Sequence, residues 1–582
     1  MRRFLIVAAA IFFFAGQAFG QPTGVPLNLE QMARLKFPAP PLSAAEQRVV
    51  RAAPDGTTAE CSNLGGDVEP EKADGSPEAP GEKWPETRNV RADLIRWLLV
   101  DHEARKQVDP KGVWILGARI TGHLDLSFTN ALFPLVLAGC RLEQGLDLRY
   151  AKMPLLSLAG SWTGAIDADG LKLEGNLFLR SGFHAVGEVR LLGASVGGDL
   201  DATGGTFNNS NGDALMADRI EVRGNIFLRN DFNPFLRKDF HAEGQVRLLG
   251  ATIGRDLDAK GGTFRNPKGN ALYADGIEVG GNVFLQNGFS AEGEVSLPGA
   301  EIKGQLAVID AWMDGLILDS AHVTGPFIWR DIHKDSDPRF PNKKWKPSLD
   351  LTDAKVGPLE DDEASWPEKG RLRLNGFVYD RIAAGPTDAK RRLRWLHLQP
   401  DECGYLPQPY EQLIAVLRQM GHEDQIAEVA IAKQEDLYEH GGLGWWGKRW
   451  KRFLYHAVRY GYEPWRAFGW MAALVIVGTL VFLLARLLPV PVLVPSDKEA
   501  YESDEKTEKA PPPHYYPKFN ALVYSLDVIF PFDLGQKSHW RLSERQRGAV
   551  VYWIFEVWWL FQLVAGWALL LIAAGVLAGL IK

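Results

Sequence analysis

The sequence predicts a mainly β protein: a right-handed parallel β-solenoid with helical caps, followed by an α-helical hairpin and two transmembrane helices. The chain of 582 residues is too long for one ordinary core. Its glycines concentrate in a repetitive middle region, whereas 10 of its 19 tryptophans follow Leu443. Two uncharged apolar runs lie near the C-terminus. The composition therefore indicates two different kinds of structure in one chain.

The first 20 residues have the three parts of a secretory signal peptide. Arg2 and Arg3 form a positively charged start, the run 5–14 is apolar, and Ala18 and Gly20 suit cleavage. An uncleaved membrane anchor is the alternative, and both interpretations export the rest of the chain. The next segment, 21–88, is predicted to be mostly irregular.

A short amphipathic helix within 89–111 precedes the repeats. Val90, Leu94, Trp97 and Leu98 fall on one helical face. A solenoid leaves open strand edges at its ends, and such edges need a cover. We therefore expect this helix to cap the first turn.

Region 112–380 repeats itself with the periodicity of strands. VRLLGASVGGDLDATGGTF begins at Val189 and its near copy VRLLGATIGRDLDAKGGTF begins at Val246. A second motif interleaves with them, as GNLFLR from Gly175, GNIFLR from Gly224 and GNVFLQ from Gly281. Equivalent apolar positions recur every 20 to 26 residues, as from Leu124 to Leu146. This repeat predicts turns of a β-solenoid, with glycines at corners that need a positive φ. The stretch 146–177 does not divide evenly into such turns.

Segment 381–440 predicts a helical hairpin. Leu413, Val416 and Leu417 have helical spacing, Gly421 is a typical stop, and a second helical pattern follows. The hairpin stands between the solenoid and the membrane segments in the sequence.

A basic, aromatic segment, 441–464, leads into the first apolar run. Cations interleaved with aromatic rings next to a span are typical of an amphipathic helix in the bilayer interface. An ordinary solvated basic helix is the alternative. The candidate membrane-interface residues are Trp445, Trp446, Lys448, Arg449, Lys451, Arg452 and Trp465.

Segments 465–489 and 549–582 are predicted transmembrane helices, because each reaches the roughly 20 apolar residues that cross a bilayer. Between them lie a charged, proline-rich linker, 490–518, and an apolar interfacial or re-entrant segment, 519–548. Positive residues flank the spans equally, so charge does not decide the orientation. The signal peptide places the solenoid in the periplasm or outside, on a bacterial inner (cytoplasmic) membrane.

Two motif patterns resemble known proteins. The G-A-x-I-x-G-x-L-D-L coils resemble pentapeptide-repeat and related right-handed β-solenoid proteins. The order of cap helix, coils, NGFVYDRI, QPYEQLIAVLRQMGH, GYEPWRA and two spans is similar to a bacterial family of membrane-anchored β-solenoids, from about Val90 to the end. The resemblance implies a fold and an anchor, without an established activity. Similar chains are sometimes labelled oxidoreductases, but GLGWWG at 442–447 follows a polar segment rather than a strand, so no cofactor is expected.

The repeats place aspartates at one apparent outward position. Asp125, Asp147, Asp201 and Asp258 each follow the inward leucine of a coil, and we expect them to form one acidic row. Such a row suits calcium or a glycan, or supplies paired carboxylates for glycoside cleavage. The alternative is a solvated face that keeps the solenoid soluble. No metal site is expected, because the histidines are scattered.

The three cysteines are too few for a disulfide scaffold. Cys140 takes a position that small residues occupy in other coils, so we expect it to be buried and inert. Cys61 and Cys403 flank the solenoid and are a candidate pair.

A span, a short apolar helix, DLG and a second span together resemble a two-span ion channel. Asp533 and Glu556 are then candidate pore or intramembrane residues. Against this, no TVGYG-type filter is present, and those channels keep both termini in the cytoplasm.

Our leading functional hypothesis is a scaffold or binding module for an extended envelope partner, either a protein or a polysaccharide. A channel with a regulatory solenoid and a carbohydrate-active solenoid enzyme are the alternatives. Expected partners are the lipid bilayer and a ligand of the solenoid face. Nucleic acid is not expected, because the net charge is −7.

Overall fold

The computed structural model describes residues 27–65, 84–232, 238–463, 465–488, 492–497, 515–543 and 550–578. The predicted signal peptide and most of the linker 490–518 lie outside these residues. The chain divides into two compact units, Met1–Gly385 and Pro386–Lys582. The first is a parallel β-solenoid of about 12 turns, and helices follow it, which confirms the predicted fold class.

Two short helices lie in the N-terminal segment 21–88, of which the structure describes 27–65 and 84–88. They are α1 (Leu29–Lys36) and α2 (Ala44–Ala52). Asn28 and Ser43 cap them, each accepting a backbone N–H from the residue three positions on, whose side chain accepts the cap N–H in return. The capping-box patterns N-x-x-Q and S-x-x-E are visible in the sequence and predict both starts.

Each turn of the solenoid contributes to up to four parallel ladders, which we call faces 1 to 4 in chain order. On each face, residues alternate between the core and solvent. Face 1 contains the strands Thr58–Glu60, Val113–Leu116, Leu135–Ala138, Leu156–Ser157, Leu177–Phe178, Leu200–Asp201, Ile226–Phe227, Leu257–Asp258 and Phe327–Ile332. Face 2 contains Asn89–Arg91, Arg119–Thr121, Arg141–Leu142, Trp162–Thr163 and His184–Val186.

Faces 3 and 4 are parallel ladders of the same kind. Face 3 contains Leu124–Asp125, Leu146–Asp147, Ile166–Asp167, Val189–Arg190, Ser348–Asp350 and Leu372–Arg373. Face 4 contains Lys152–Met153, Lys172–Leu173, Ser195–Val196, Glu221–Val222, Thr252–Ile253, Glu278–Val279, Glu301–Ile302 and His322–Val323. Longer strands run across two or three faces: Thr206–Met216, His241–Arg247, Thr263–Tyr273, Val283–Ser296, Leu306–Ile317, Lys355–Asp361 and Val378–Ala384.

The observed register confirms the predicted pitch and explains the uneven stretch. Leu124 pairs with Leu146 on face 3, and Leu177 pairs with Leu200 on face 1. Leu146 and Leu177 therefore belong to different faces, and no whole number of turns separates them. The partner of Leu146 in the next turn is Ile166.

The solenoid interior is a continuous apolar core. A row of five phenylalanines packs through successive turns, with tilted rings whose centroids lie 5.5, 5.7, 5.1 and 5.2 Å apart: Phe183, Phe207, Phe240, Phe264 and Phe289. Aromatic pairs at such distances add about 0.5–1.5 kcal/mol each beyond their buried area. Next to the first turns lies helix α3 (Ala92–Val100), which buries Leu94, Trp97 and Leu98 as its pattern predicts.

The second unit is helical. Helix α4 (Ala389–Leu396) precedes the predicted hairpin, α5 (Pro407–Gln419) and α6 (Glu423–His440), and Gly421 makes the turn with φ +80°. Helices α7 (Trp445–Val458), α8 (Trp465–Leu487), α9 (Ala521–Ile529) and α10 (Val550–Leu577) complete it. Within α8 and α10, Trp465–Leu487 and Val550–Gly575 are long and apolar enough to cross a membrane. Leu493–Pro495 pairs antiparallel with Trp540–Leu542.

Candidate functional site

The four predicted aspartates do not form one row. Asp125 and Asp147 are neighbours on face 3, whereas Asp201 and Asp258 lie on face 1 with Phe227 between them. The expectation of a single row was wrong because the dipeptide Leu-Asp recurs on two different faces. The spacing of apolar residues in the sequence predicts which strands pair within one face. It does not show to which face a given Leu-Asp dipeptide belongs.

The two aspartates of face 1 are buried in ion pairs. Asp201 pairs with Arg180 at 3.0 Å, and Asp258 pairs with Arg229 at 2.7 Å. Both guanidinium groups also lie 4.3 Å from the ring centroid of the phenylalanine two residues before them, Phe178 and Phe227. Alternating carboxylates and rings, bridged by cations, connect successive turns. These carboxylates therefore stabilise the solenoid and are not open to calcium or a substrate.

The two aspartates of face 3 are also held by local partners. Asp125 accepts hydrogen bonds from the Ser127 hydroxyl at 2.6 Å and its N–H at 2.9 Å, which lower the pKa of Asp125. Arg149 donates to Asp147 at 2.5 Å and lowers the pKa of that carboxyl. Arg149 also lies 3.7 Å from Asp167 on the next turn, so the charges on this face are mutually compensated.

An aromatic pair on the corner between faces 3 and 4 was missed by the sequence analysis. In eleven turns the residue at this corner is left-handed, with φ between 53° and 75°, and six of the eleven are glycine. These residues are Phe128, Tyr150, Gly170, Gly193, Arg219, Gly250, Gly276, Gly299, Ser320, Asp353 and Gly376. Aligning the repeats on this position would have shown two bulky rings where glycine is usual.

Phe128 and Tyr150 are both strained and exposed. A left-handed backbone costs a residue with a side chain about 1–2 kcal/mol. Phe128 is 74% exposed and Tyr150 is 57% exposed, and their rings stack at 5.2 Å with an interplanar angle of 24°. The Tyr150 ring lies against Gly170, where a Cβ atom would come within 2.6 Å of it. The rings form a supported aromatic platform, which we call the corner platform.

A second corner, between faces 4 and 1, is formed by a ladder of amide and carboxylate side chains. Asn225 Oδ1 accepts the N–H of Asp256 at 3.2 Å, and Asp256 Oδ1 accepts the N–H of Asn282 at 2.7 Å. Asn176 and Asp199 make the same contacts in the preceding turns. The GN repeat of the sequence is thus a structural motif that satisfies corner N–H groups.

The predicted interfacial segment is helical, and its cations divide into two sets. Trp445, Trp446, Trp465, Lys448 and Arg449 are exposed. The other two cations turn towards α6: Lys451 Nζ donates to Gln434, and Arg452 donates to the Tyr438 hydroxyl at 2.9 Å. Burial lowers the pKa of Lys451.

The short helix α9 packs against both α8 and α10. Its buried Asp527 accepts three backbone N–H groups of the loop that follows, from Leu534, Gln536 and Lys537. From α10, the buried Gln562 donates to the Ser525 hydroxyl at 2.6 Å. Asp527 and Gln562 were missed, although each is a polar residue inside an apolar run.

The two predicted intramembrane acids have different surroundings. Asp533 is exposed in the loop after α9 and accepts the Gly535 N–H at 2.7 Å, which lowers the pKa of Asp533. Glu556 in α10 is half-buried, and its Oε2 atom has no hydrogen-bond partner among the described residues.

All three cysteines are free, so the candidate pair of Cys61 and Cys403 is not formed. Cys140 is fully buried, as predicted, and burial raises the pKa of its thiol to about 12. Across the described ranges, no group of three histidine, cysteine, aspartate or glutamate residues is arranged to hold a metal ion.

Comparison with known proteins found no matching family model, no matching curated protein and no matching solved structure.

Proposed function

We propose that the chain is an exported, membrane-anchored β-solenoid that acts as a binding scaffold for an extended partner in the cell envelope. The observation that carries this proposal is the corner platform of Phe128 and Tyr150. Bulky rings that persist at a corner where glycine is usual are an indication of function, because glycine adopts the same left-handed backbone without strain. Exposed aromatic rings on a rigid support are also the usual anchors of binding surfaces.

The surroundings of the platform favour an uncharged partner. Arg96 lies 3.6 Å from Asp125, and Arg149 pairs with Asp147, so the nearest carboxylates are already compensated. A partner that packs against the exposed parts of Phe128 and Tyr150 therefore needs apolar faces rather than a net charge. Pyranose rings provide such faces, with hydroxyl groups at their edges.

The spacing of the rings also favours a polysaccharide over a protein. Phe128 and Tyr150 occupy successive turns, and strands in successive turns lie about 4.8 Å apart. One pyranose unit of an extended glycan has a similar length, so consecutive units would follow the turns. A protein partner remains the second class within this proposal.

The proposal is tested by photocrosslinking in cells. p-Benzoylphenylalanine at position 128 or 150 of the full-length chain replaces one aromatic ring by another. We expect a crosslinked species of high mass that resists protease, whereas a protease-sensitive species would indicate a protein partner. The same label at the exposed Val378 is the matched control. Equal crosslinking at all three positions, or none at 128 and 150, would contradict the assigned surface.

The bacterial inner membrane is the proposed location, with the solenoid in the periplasm or outside. The two apolar helices, α8 and α10, support membrane insertion. The exposed tryptophans of α7 support an interfacial position for that helix.

A channel is the second candidate function. The observation that favours it is α9, a short helix packed between two apolar helices, with the following loop held by Asp527. Ion currents from the full-length chain in planar bilayers, lost in Asp527→Ala, would support it. A carbohydrate-active enzyme is not favoured by the described residues, because two of its candidate carboxylates, Asp201 and Asp258, are buried in ion pairs.

A further inference from the structure

A polar cavity of about 250 Å³ lies between α6 and the C-terminal part of α7. Glu435 and Glu439 line one side of it, and Arg452 lines another. Three tyrosines, Tyr438, Tyr455 and Tyr460, complete its wall. Both glutamates are exposed, and neither forms an ion pair with any of the described residues. The cavity therefore presents separate negative and positive groups, with an excess of one negative charge.

An apolar groove of about 600 Å³ adjoins this cavity. Helices α7, α8 and α10 form it, through residues such as Phe453, Leu474 and Phe561. His456 lines both the groove and the polar cavity, so the two share a wall. Trp470 Nε1 donates to the His456 carbonyl at 3.0 Å and joins α7 to α8 beside the groove.

We propose that the groove and the cavity together form a binding site for one phospholipid with an ammonium-bearing, zwitterionic headgroup. The occupant follows from the position of the groove, which lies on two helices long enough to cross a membrane. A groove of this kind in a bilayer contacts acyl chains, because water there would leave its hydrogen bonds unsatisfied. The polar cavity at its edge then receives the headgroup.

The charges of the cavity select the headgroup. Arg452 is suited to the phosphate, because a guanidinium presents several donors in one plane. Glu435 and Glu439 attract the ammonium, and the faces of the surrounding tyrosines stabilise a cation further. An anionic headgroup without an ammonium would meet two uncompensated carboxylates. This site is independent of what the solenoid binds.

The test uses the full-length chain in nanodiscs that contain equal amounts of phosphatidylethanolamine and phosphatidylglycerol. Native mass spectrometry after release from the nanodisc then identifies the retained lipid. We expect phosphatidylethanolamine to be retained in preference. In the double variant Glu435→Gln and Glu439→Gln its retention should fall about tenfold, which corresponds to about 1.4 kcal/mol. Glu428→Gln, an exposed change elsewhere on α6, is the matched control.

A second variant tests the groove itself. Ala568 lines the groove, and Ala568→Trp should fill it and reduce the retention of both lipids. Leu571→Trp adds the same side chain at an exposed position outside the groove lining and should change nothing. Equal retention of the two lipids by the unmodified chain, or no effect of the glutamate variants, overturns the proposal. Neither result affects the crosslinking test of the solenoid.

Discussion

At the scale of single residues, the corners of the solenoid separate structural positions from a candidate binding position. Most turns place glycine at the corner between faces 3 and 4, where a left-handed backbone is required. Phe128 and Tyr150 keep that backbone at a cost of about 1–2 kcal/mol each. These two rings are therefore expected to contribute to binding and not to folding.

The double variant Phe128→Asn and Tyr150→Asn tests this prediction. Asparagine tolerates the left-handed region, so the free energy of unfolding should change by no more than about 1 kcal/mol. Binding of the partner identified by crosslinking should be lost. Thermal unfolding and retention of that partner are the two measurements. A strongly destabilised variant would instead assign the rings a structural role.

Another single residue, His184 on face 2, predicts a dependence of stability on pH. Its ring stacks on Trp162 at 3.7 Å and is 9% exposed. Burial, with a smaller contribution from His241, lowers the pKa of His184 to about 4. In the unfolded chain the imidazole of His184 takes up a proton below about pH 6.5, whereas in the folded chain it does so only below about pH 4.

The contribution of neutral, buried His184 to the free energy of unfolding is therefore fully present above about pH 6.5 and is lost as the pH falls towards 4. The expected loss is about 3 kcal/mol between pH 7 and pH 4. Urea unfolding of the unmodified chain and of His184→Gln at the two pH values measures it. The unmodified chain should lose more stability than the variant, and identical pH profiles would contradict this assignment.

At the scale of elements, the ladder at the corner between faces 4 and 1 connects each turn to the next. Asp256 accepts both the N–H and the Nδ2 group of Asn282. Asp256→Ala leaves a half-buried N–H without its acceptor and should lower the free energy of unfolding by about 1–3 kcal/mol. Asp256→Asn keeps an acceptor, as Asn225 does one turn earlier, and should recover most of the loss. Thermal unfolding of both variants distinguishes a hydrogen-bond effect from a charge effect.

A second element, the loop that follows α9, depends on one carboxylate. Asp527 accepts the N–H groups of Leu534, Gln536 and Lys537 at 2.7–2.9 Å. Asp527→Ala removes all three acceptors, so amide exchange in this loop should accelerate while exchange in the solenoid stays unchanged. Asp533→Asn, which keeps an acceptor for the Gly535 N–H in the same loop, is the control. Unchanged exchange in Asp527→Ala would show that the loop is held by other contacts.

At the scale of the whole molecule, periodicity in the sequence predicts the class of fold but not its faces. The predicted pitch from Leu124 to Leu146 corresponds to an observed pairing of strands. The two apolar runs correspond to the long helices α8 and α10. The face of each Leu-Asp copy is not apparent from the sequence, because the same dipeptide recurs on faces 1 and 3. Asp147 and Asp201 therefore look equivalent in sequence and lie on different faces. The corner platform was not predicted, because the left-handed backbone of Phe128 and Tyr150 is not apparent from the amino-acid composition.

The central claim is that the solenoid is displayed outside the cytoplasm on a two-helix membrane anchor. A reporter enzyme that is active only outside the cytoplasm tests it most directly. Inserted after Gly442 of the full-length chain, between α6 and α7, the reporter should be active. Inserted after Asp497, between α8 and α9, it should be inactive. The reverse pattern would contradict the claim and would favour the channel with its solenoid in the cytoplasm.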